Sequence, residues 1–133
     1  LIVSSDDQNN YGVHLNDKAQ EVHFPIGLAF DSEHIPEGKH APLKTLEEAA
    51  ELTEAIKDQL KGQNDTGVDY DAYMALRQHT LEEFCDVYQT LVNIAFTFGF
   101  SQTEIENAYI KVVRHNNERG RYPSNEWEDS WLG

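Results

Sequence analysis

The sequence predicts an all-α protein, a single domain built as a bundle of about four helices. Apolar residues recur at three- and four-residue spacing along most of the chain, and no segment shows sustained alternation of apolar and polar residues. The breaks between these stretches are short and rich in glycine, proline and polar residues. The chain has 133 residues, of which 39% are hydrophobic, so it is long enough to bury one core. We expect irregular tails over residues 1–12 and 123–133.

The first two helices are predicted from their apolar residues. Four of these recur at helical spacing near the start of the chain: Leu15, Ala19, Val22 and Ile26. A first helix is therefore expected to end near Pro25, because proline interrupts helical hydrogen bonding. The second helix is expected over residues 42–60, since Pro42 suits a first helical position. Its apolar stripe consists of Leu43, Leu46, Ala50, Ile56 and Leu60, and Leu52 lies beside the stripe.

The third and fourth helices have clearer boundaries. The third is expected from about Asp71 to the residue before Gly99, and its second half is apolar on nearly every side. Such a helix needs cover from a central position or from a second subunit, so we expect a homo-oligomer, and Cys85 should lie in the core. The fourth begins with Ser101-Gln-Thr-Glu104, the pattern of a capping box. Its apolar face consists of Ile105, Ala108, Tyr109, Val112 and Val113.

The charge of the chain excludes several classes of partner. Ten Lys and Arg against 24 Asp and Glu give a formal net charge of −14. A protein this acidic is repelled by nucleic acid polymers and by anionic membranes. No apolar run reaches the roughly 18 residues of a membrane span, and residues 1–10 lack the basic start and apolar stretch of a signal peptide. The single cysteine suits a reducing compartment, so we expect a cytoplasmic protein.

Two pairs of acids are the candidate functional residues. Glu48 and Glu51 stand three residues apart on the second helix, and Glu83 and Asp86 do so on the third. Residues at this spacing share a helix face, and like charges placed so destabilise an isolated helix by roughly 0.2–0.5 kcal/mol per pair. Carboxylates crowded between two packed helices must be protonated, paired or bound to metal. Oxygen ligands favour Mg²⁺ or Mn²⁺ over zinc.

Simpler roles are also open for these acids. Glu48 could close a capping box with Thr45, and Glu83 could do so with Thr80. Acids three residues apart are also common on solvated helix faces. These alternatives predict a non-catalytic acidic helical interaction module, in which the acids are only surface charge.

Three stretches of the sequence together resemble the MazG-like, all-α nucleoside triphosphate pyrophosphohydrolases, whose relatives include the dimeric dUTPases. They are TLEEAAELTEAI (Thr45 to Ile56), EEFCDVYQTLVNIA (Glu82 to Ala95) and YIKVVRHNNERGRYP (Tyr109 to Pro123). The resemblance covers roughly residues 42–123 and rests on the order of the stretches and their placement on successive helices. The gap between Glu51 and Glu83 is slightly longer than is usual in that family.

The resemblance implies a Mg²⁺-dependent enzyme that cleaves a nucleoside triphosphate to the monophosphate and pyrophosphate, as a homodimer or homotetramer. Glu48, Glu51, Glu83 and Asp86 would be the catalytic and metal-binding residues, with Mn²⁺ as a possible substitute ion. The ions would bind triphosphate oxygens and lower the pKa of the attacking water. Glu48 or Glu47 would be the general base. A narrow-range dUTP or dCTP pyrophosphatase is a further alternative, because the sequence does not identify the base or sugar.

The fourth helix would supply the substrate-binding residues by the same resemblance. They are Lys111, Arg114, Asn116 and Arg119. Arginine suits bidentate contacts to phosphate, although cations near a helix C-terminus can also simply complement its dipole. Asn116 could equally be a C-cap. Beyond this helix, Trp127 and Trp131 are expected to dock the tail on its own subunit or on another.

Overall fold

A computed structural model of the chain describes residues 11–12 and 18–123. Its three α-helices are α1 (His40–Asn64), α2 (Tyr70–Phe98) and α3 (Gln102–Glu118), and a short 3₁₀ turn, Ser32–His34, precedes them. No described residue lies in a β-strand, so the all-α class is confirmed for this part of the chain. None of the three helices has the length and apolar character needed to span a bilayer.

The chain divides into two compact units. One runs from Ile26 to Gly99 and contains α1 and α2, while the other contains α3 and the described residues before Ile26 and after Gly99. The tails expected over residues 1–12 and 123–133, with Trp127 and Trp131, fall almost wholly outside the described residues.

Local chemistry fixes the ends of α2 and α3 where the sequence predicts them. The Asp69 carboxylate accepts a hydrogen bond from the Ala72 N–H at 2.8 Å and so caps the start of α2. Gly99 ends this helix at φ 67°, a left-handed conformation that glycine adopts without strain. The capping box of α3 is present, with Ser101 and Glu104 each accepting a hydrogen bond from the other's backbone N–H.

The first helix is longer than the expected range of residues 42–60. Pro42 lies in its first turn, where the missing N–H has no helical acceptor to lose. At the other end, α1 continues through Gly62, which is buried against the Leu76 side chain of α2. A Cβ atom at Gly62 would collide with Leu76, so this glycine permits a close approach of the two helices. Packing therefore outweighs the low helix propensity of glycine.

The two helices α1 and α2 form an antiparallel hairpin. Its seam consists of buried and half-buried residues that alternate at spacings of four and three. On α1 they are Ala41, Thr45, Glu48, Leu52, Ala55, Gln59 and Gly62; on α2 they are Tyr73, Leu76, Thr80, Glu83, Val87, Thr90 and Ile94. This repeat of about 3.5 residues is that of a coiled coil. The antiparallel direction is visible where the Thr80 hydroxyl donates to the Ala55 carbonyl at 3.3 Å and the Gln59 amide donates to the Tyr73 hydroxyl at 3.4 Å.

Most seam residues are small or polar, and many of the large apolar residues of the two helices lie beside the seam. Leu43, Leu46 and Leu60 of the expected apolar stripe remain 55%, 67% and 50% exposed. On α2, Phe84 and Leu91 are also exposed. Cys85 is exposed as well, so its expected place in the core is wrong. The reason is that small residues let the two backbones approach, which leaves the bulkier neighbours outside the contact.

The helix expected through Ala19, Val22 and Ile26 is wrong, because residues 18–31 contain no helix; Leu15 lies outside the described residues. The apolar residues of this segment also recur at every second position, which is the period of an extended chain: Val22, Phe24, Ile26, Leu28 and Phe30. Pro25 favours extended backbone at the residue before it.

Side chains of α2 hold the part of this segment that belongs to the hairpin unit. The Gln89 amide donates to the Leu28 carbonyl at 2.7 Å, and the Phe30 N–H donates to the Asn93 side-chain oxygen at 3.0 Å. Gln89 and Asn93 also bond to each other at 3.1 Å. These bonds give the Leu28 carbonyl and the Phe30 N–H the hydrogen-bond partners that a helix would otherwise supply.

Candidate metal centre

Carboxylates from both helices meet in the middle of the hairpin. Glu48 of α1 and Glu83 and Asp86 of α2 each offer an oxygen within 4.8 Å of the others. Glu48 and Glu83 are seam residues with side chains only 13% and 14% exposed, whereas Asp86 is exposed. With Glu51, these three residues are called the hairpin cluster below. The structure therefore brings together acids that the sequence assigns to two different helices.

The fourth acid, Glu51, lies beside the others on the exposed side of α1. The pKa of Glu51 is raised above its ordinary value, chiefly by the nearby charge of Glu48. A hydrogen bond with Glu48, desolvation and the charge of Glu83 raise the pKa of Glu51 further. Each of these charges disfavours ionisation of Glu51, because like charges at short range repel. All four predicted acids thus belong to one negatively charged cluster.

Two carboxylate oxygens of the hairpin cluster are buried without a hydrogen-bond partner in the described structure. They are the Oε2 atoms of Glu48 and Glu83. The other oxygen of each residue faces a basic side chain: Lys44 Nζ lies 3.1 Å from Glu48 Oε1, and His79 Nε2 lies 3.8 Å from Glu83 Oε1. A buried polar atom without a partner costs about 1–3 kcal/mol, and more when it is charged. A bound cation would remove that cost, since carboxylate oxygens are its natural ligands.

The capping-box alternatives for these acids are wrong. Thr45 lies inside α1, where its hydroxyl donates to the backbone carbonyl four residues earlier at 3.4 Å. Thr80 lies inside α2 and makes the same kind of bond at 3.2 Å. Neither threonine stands at a helix start, so Glu48 and Glu83 have no capping role. Glu47, the other candidate for general base, has a side chain that is 59% exposed and lies 3.4 Å from Lys44.

Lys44 and His79 are neighbours of the cluster that the sequence analysis did not single out. A signal for both was available, because each stands four residues before a cluster acid on the same helix. Residues at this spacing face each other across one helical turn. The pKa of Lys44 is raised, first by its hydrogen bond to Glu48 and then by the charge of Glu47.

An open groove of about 490 Å³ adjoins the cluster. It is lined by Ala50, Glu51, Glu54, Ala55, Asp58, His79 and Glu83. The two alanines leave room for a ligand, and the volume lies within the roughly 300–1,000 Å³ of small-molecule sites. No lysine or arginine is among these lining residues. An anionic ligand would therefore be repelled here unless cations first reversed the local charge.

The predicted substrate-binding residues lie on α3 or at its end, in the other unit. Lys111 is exposed, and the Arg114 Nε donates to the Tyr11 carbonyl at 3.0 Å. Arg119 is the residue that caps the C-terminus of α3. Asn116 lies inside the helix, so its alternative role as a C-cap is wrong; its side-chain oxygen accepts a hydrogen bond from Arg121 at 3.4 Å. Substrate binding by these residues stays a prediction.

A second acidic group lies at the 3₁₀ turn and is called the turn cluster below. Asp31, Glu33 and His34 bring ligand atoms within 4.8 Å of one another, as Glu48, Glu83 and Asp86 do. All three residues are exposed. Exposed acids in a turn are stabilised by water, so nothing in their surroundings requires a cation.

Fold and site together define a class: an all-α chain in which the two helices of an antiparallel hairpin carry a half-buried group of acids. Comparison with models of known protein families, with curated proteins and with solved structures gives no match. The MazG-like resemblance therefore rests on the three sequence stretches alone.

Proposed function

We propose that this chain is a Mg²⁺-dependent nucleoside triphosphate pyrophosphohydrolase, which cleaves a ribo- or deoxyribonucleoside triphosphate to the monophosphate and pyrophosphate. The observation that carries the proposal is the pair of buried, unpartnered carboxylate oxygens of Glu48 and Glu83 within the hairpin cluster. The order of the three sequence stretches that resemble MazG-like enzymes supports the choice of reaction.

The donor atoms fit Mg²⁺, with Mn²⁺ as a substitute. Every member of the hairpin cluster is a carboxylate, and hard oxygen donors favour these ions over zinc. Glu48, Glu51, Glu83 and Asp86 would hold the ion. When bound, it supplies positive charge for phosphate oxygens and lowers the pKa of a water molecule.

The protein's own residues contribute rigidity and a place for the substrate. Glu48 and Glu83 project from the seam, where packing of both helices limits their movement, so little ordering remains to be done when substrate binds. The adjoining groove has the size for a nucleotide and no cation of its own among its lining residues. A triphosphate would therefore enter with its metal, and Glu47 or Glu48 stays the candidate general base.

Pyrophosphate release from a panel of ribo- and deoxyribonucleoside triphosphates with Mg²⁺ tests this proposal. The double variant Glu51→Gln, Asp86→Asn should lose the activity. The matched control is Glu54→Gln, Asp58→Asn, which removes two acids of the same groove that lie outside the cluster and should keep most of it. If the unmodified protein releases no more pyrophosphate than the first double variant, the proposed pyrophosphohydrolase activity is refuted. Competition between dUTP, dCTP and the other substrates distinguishes an enzyme with a broad substrate range from a narrow-range dUTP or dCTP pyrophosphatase.

We also propose that the active form is a homodimer or homotetramer. Large apolar side chains beside the seam support this, since single soluble chains rarely leave such surfaces uncovered. They are between 42% and 67% exposed and include Leu43, Leu46, Leu81, Phe84 and Leu91. Light scattering during size-exclusion chromatography should give at least twice the monomer mass, and a Leu46→Lys, Leu91→Lys variant should shift towards the monomer. A monomer mass for the unmodified protein would contradict the proposal.

The same exposed apolar residues favour the second candidate, a non-catalytic acidic helical interaction module. That candidate predicts no pyrophosphate release and no effect of Mg²⁺ on the melting temperature. For the enzyme we propose a cytoplasmic location, which is supported by the single cysteine.

A further inference from the structure

A small cavity of about 50 Å³ lies in the unit that contains α3. Three tyrosines and a glutamate are among its lining residues: Tyr11, Tyr109, Tyr122 and Glu21. Val113, which is only 2% exposed, also lines it. Three separate segments of the chain thus place phenol rings around one small space, although no part of the proposed reaction uses them.

Two of the rings lie next to each other in a T-shaped arrangement. The ring centroids of Tyr11 and Tyr109 are 6.0 Å apart and their planes meet at 80°. The face of an aromatic ring carries partial negative charge, so a cation that lies over the face of one of these rings is attracted to it.

The carboxylate of Glu21 adds negative charge to the cavity. The Glu21 side chain is only 13% exposed, and its Oε2 lies 3.3 Å from Nε2 of the exposed His23. Burial raises the pKa of Tyr11, and the charge of Glu21 raises it further. Among the described residues, no lysine or arginine lines the cavity; the Arg114 Nε donates to the Tyr11 backbone carbonyl.

We propose that Tyr11, Tyr109, Tyr122 and Glu21 form a binding site for a methylated ammonium group. Such a group keeps its positive charge but has few or no N–H donors, so aromatic faces suit it better than a carboxylate alone. The cavity is far below the size of a nucleotide site, so this binding is independent of the proposed pyrophosphohydrolase activity. The group could belong to a free amine or to a methylated lysine side chain.

Binding of choline to the full chain tests the charge requirement, with 3,3-dimethyl-1-butanol as the neutral molecule of the same shape. Calorimetry or NMR titration at constant ionic strength should show saturable choline binding in the millimolar range. The neutral molecule should bind at least about tenfold more weakly. A parallel titration with N-acetyl-trimethyllysine methylamide distinguishes the two sources of the group by its relative affinity. No saturation with either cation, or equal affinity for the neutral molecule, would overturn the proposal.

Three variants tie the binding to this cavity. Tyr109→Phe keeps the aromatic face and should keep the affinity, whereas Tyr109→Leu should weaken it about tenfold. Glu21→Gln removes the charge without changing the size and should weaken choline binding severalfold while leaving the neutral molecule unaffected. Tyr70→Leu, at an exposed tyrosine that starts α2, is the matched control and should change nothing. Unchanged choline affinity in both Tyr109→Leu and Glu21→Gln would refute the site, and Glu21→Gln decides the matter if Tyr109→Leu fails to fold.

Discussion

The hairpin cluster and the turn cluster have the same ligand spacing and opposite surroundings. In the hairpin cluster the ligand atoms of Glu48, Glu83 and Asp86 lie within 4.8 Å of one another, and in the turn cluster those of all three members do. The turn cluster is exposed at every residue, so water satisfies its charges. The hairpin cluster has two residues in a helix seam and two buried oxygens without a partner in the described structure.

This difference indicates that burial, more than spacing, makes a bound cation favourable at a group of acids. Exposed acids at short range lose little free energy because solvent and salt screen their repulsion. The nearly buried Glu48 and Glu83 have less of this relief, and the charge of Glu48 is the chief cause of the raised pKa of the exposed Glu51 beside it. The following predictions test whether the two clusters differ in function as they differ in burial.

The largest expected effect is on catalysis. Glu83→Gln removes the charge of one proposed metal ligand that the seam holds in place, and it should lower pyrophosphate release at least about 100-fold. The turn-cluster variant Asp31→Asn, His34→Gln should stay within about twofold of the unmodified protein. Initial rates at saturating substrate and Mg²⁺ measure both. Equal losses in the two variants would remove the distinction between the clusters.

Next in size is the effect of Mg²⁺ on stability. An ion that binds only the folded chain stabilises it by about 2.7 kcal/mol at 100 times its dissociation constant, which is a rise of several degrees in melting temperature. The rise should saturate, disappear in Glu48→Gln, Glu83→Gln, and persist in the turn-cluster variant. Sodium chloride at matched ionic strength serves as the control for general salt effects. A rise that survives loss of both seam acids would assign the ion elsewhere.

A smaller effect is expected on the pH dependence of stability without metal. Since the pKa of Glu51 is raised in the folded chain, its contribution to stability is fully present below the ordinary glutamate value of 4.5 and is lost as the pH rises through the raised pKa. Glu51→Gln should therefore lose less stability than the unmodified protein as the pH increases from about 4.5. Urea unfolding in EDTA at a series of pH values measures this. The matched control, Glu54→Gln, should keep the slope of the unmodified protein.

The smallest expected effect concerns Lys44. Its ammonium lies 3.1 Å from Glu48 and must share that carboxylate with any bound ion. Lys44→Met should therefore tighten Mn²⁺ binding severalfold, as followed by electron paramagnetic resonance of the free ion. Lys57→Met removes a lysine that pairs with Glu54 outside the cluster, and it should leave the affinity unchanged. Weaker Mn²⁺ binding in Lys44→Met would show that this lysine supports the ion instead of competing with it.

The helix ends were predictable because local chemistry determines them. Asp69, Gly99 and the Ser101–Glu104 capping box act within a few residues of themselves, so the sequence alone identifies α2 and α3. The segment before α1 misled the prediction because Val22 and Ile26 fit both a helical and an alternating period. The backbone is irregular in the structure, and α2, far along the sequence, forms hydrogen bonds with it at Leu28 and Phe30.

The candidate site was predictable in part. Spacing of three residues placed Glu48 with Glu51 and Glu83 with Asp86 on common faces, as it must on any helix. The face of α1 that meets α2 could not be derived in the same way, since the prediction gave weight to large apolar residues such as Leu46. The seam instead passes through Ala55 and Gly62, because close backbone approach requires small residues, and this choice is what buries Glu48.

The small residues of the seam have a consequence for folding. Alanine, threonine and glycine offer few distinctive shapes, so apolar packing alone discriminates weakly between the native alignment of the hairpin and one displaced by a heptad. Such a slip moves one helix by about 10 Å along the other and would separate Glu48 from Glu83. A polar contact inside a helical seam is a known device for fixing alignment. An ion held by both acids would thus stabilise the one alignment of the helices in which Glu48 and Glu83 lie close together.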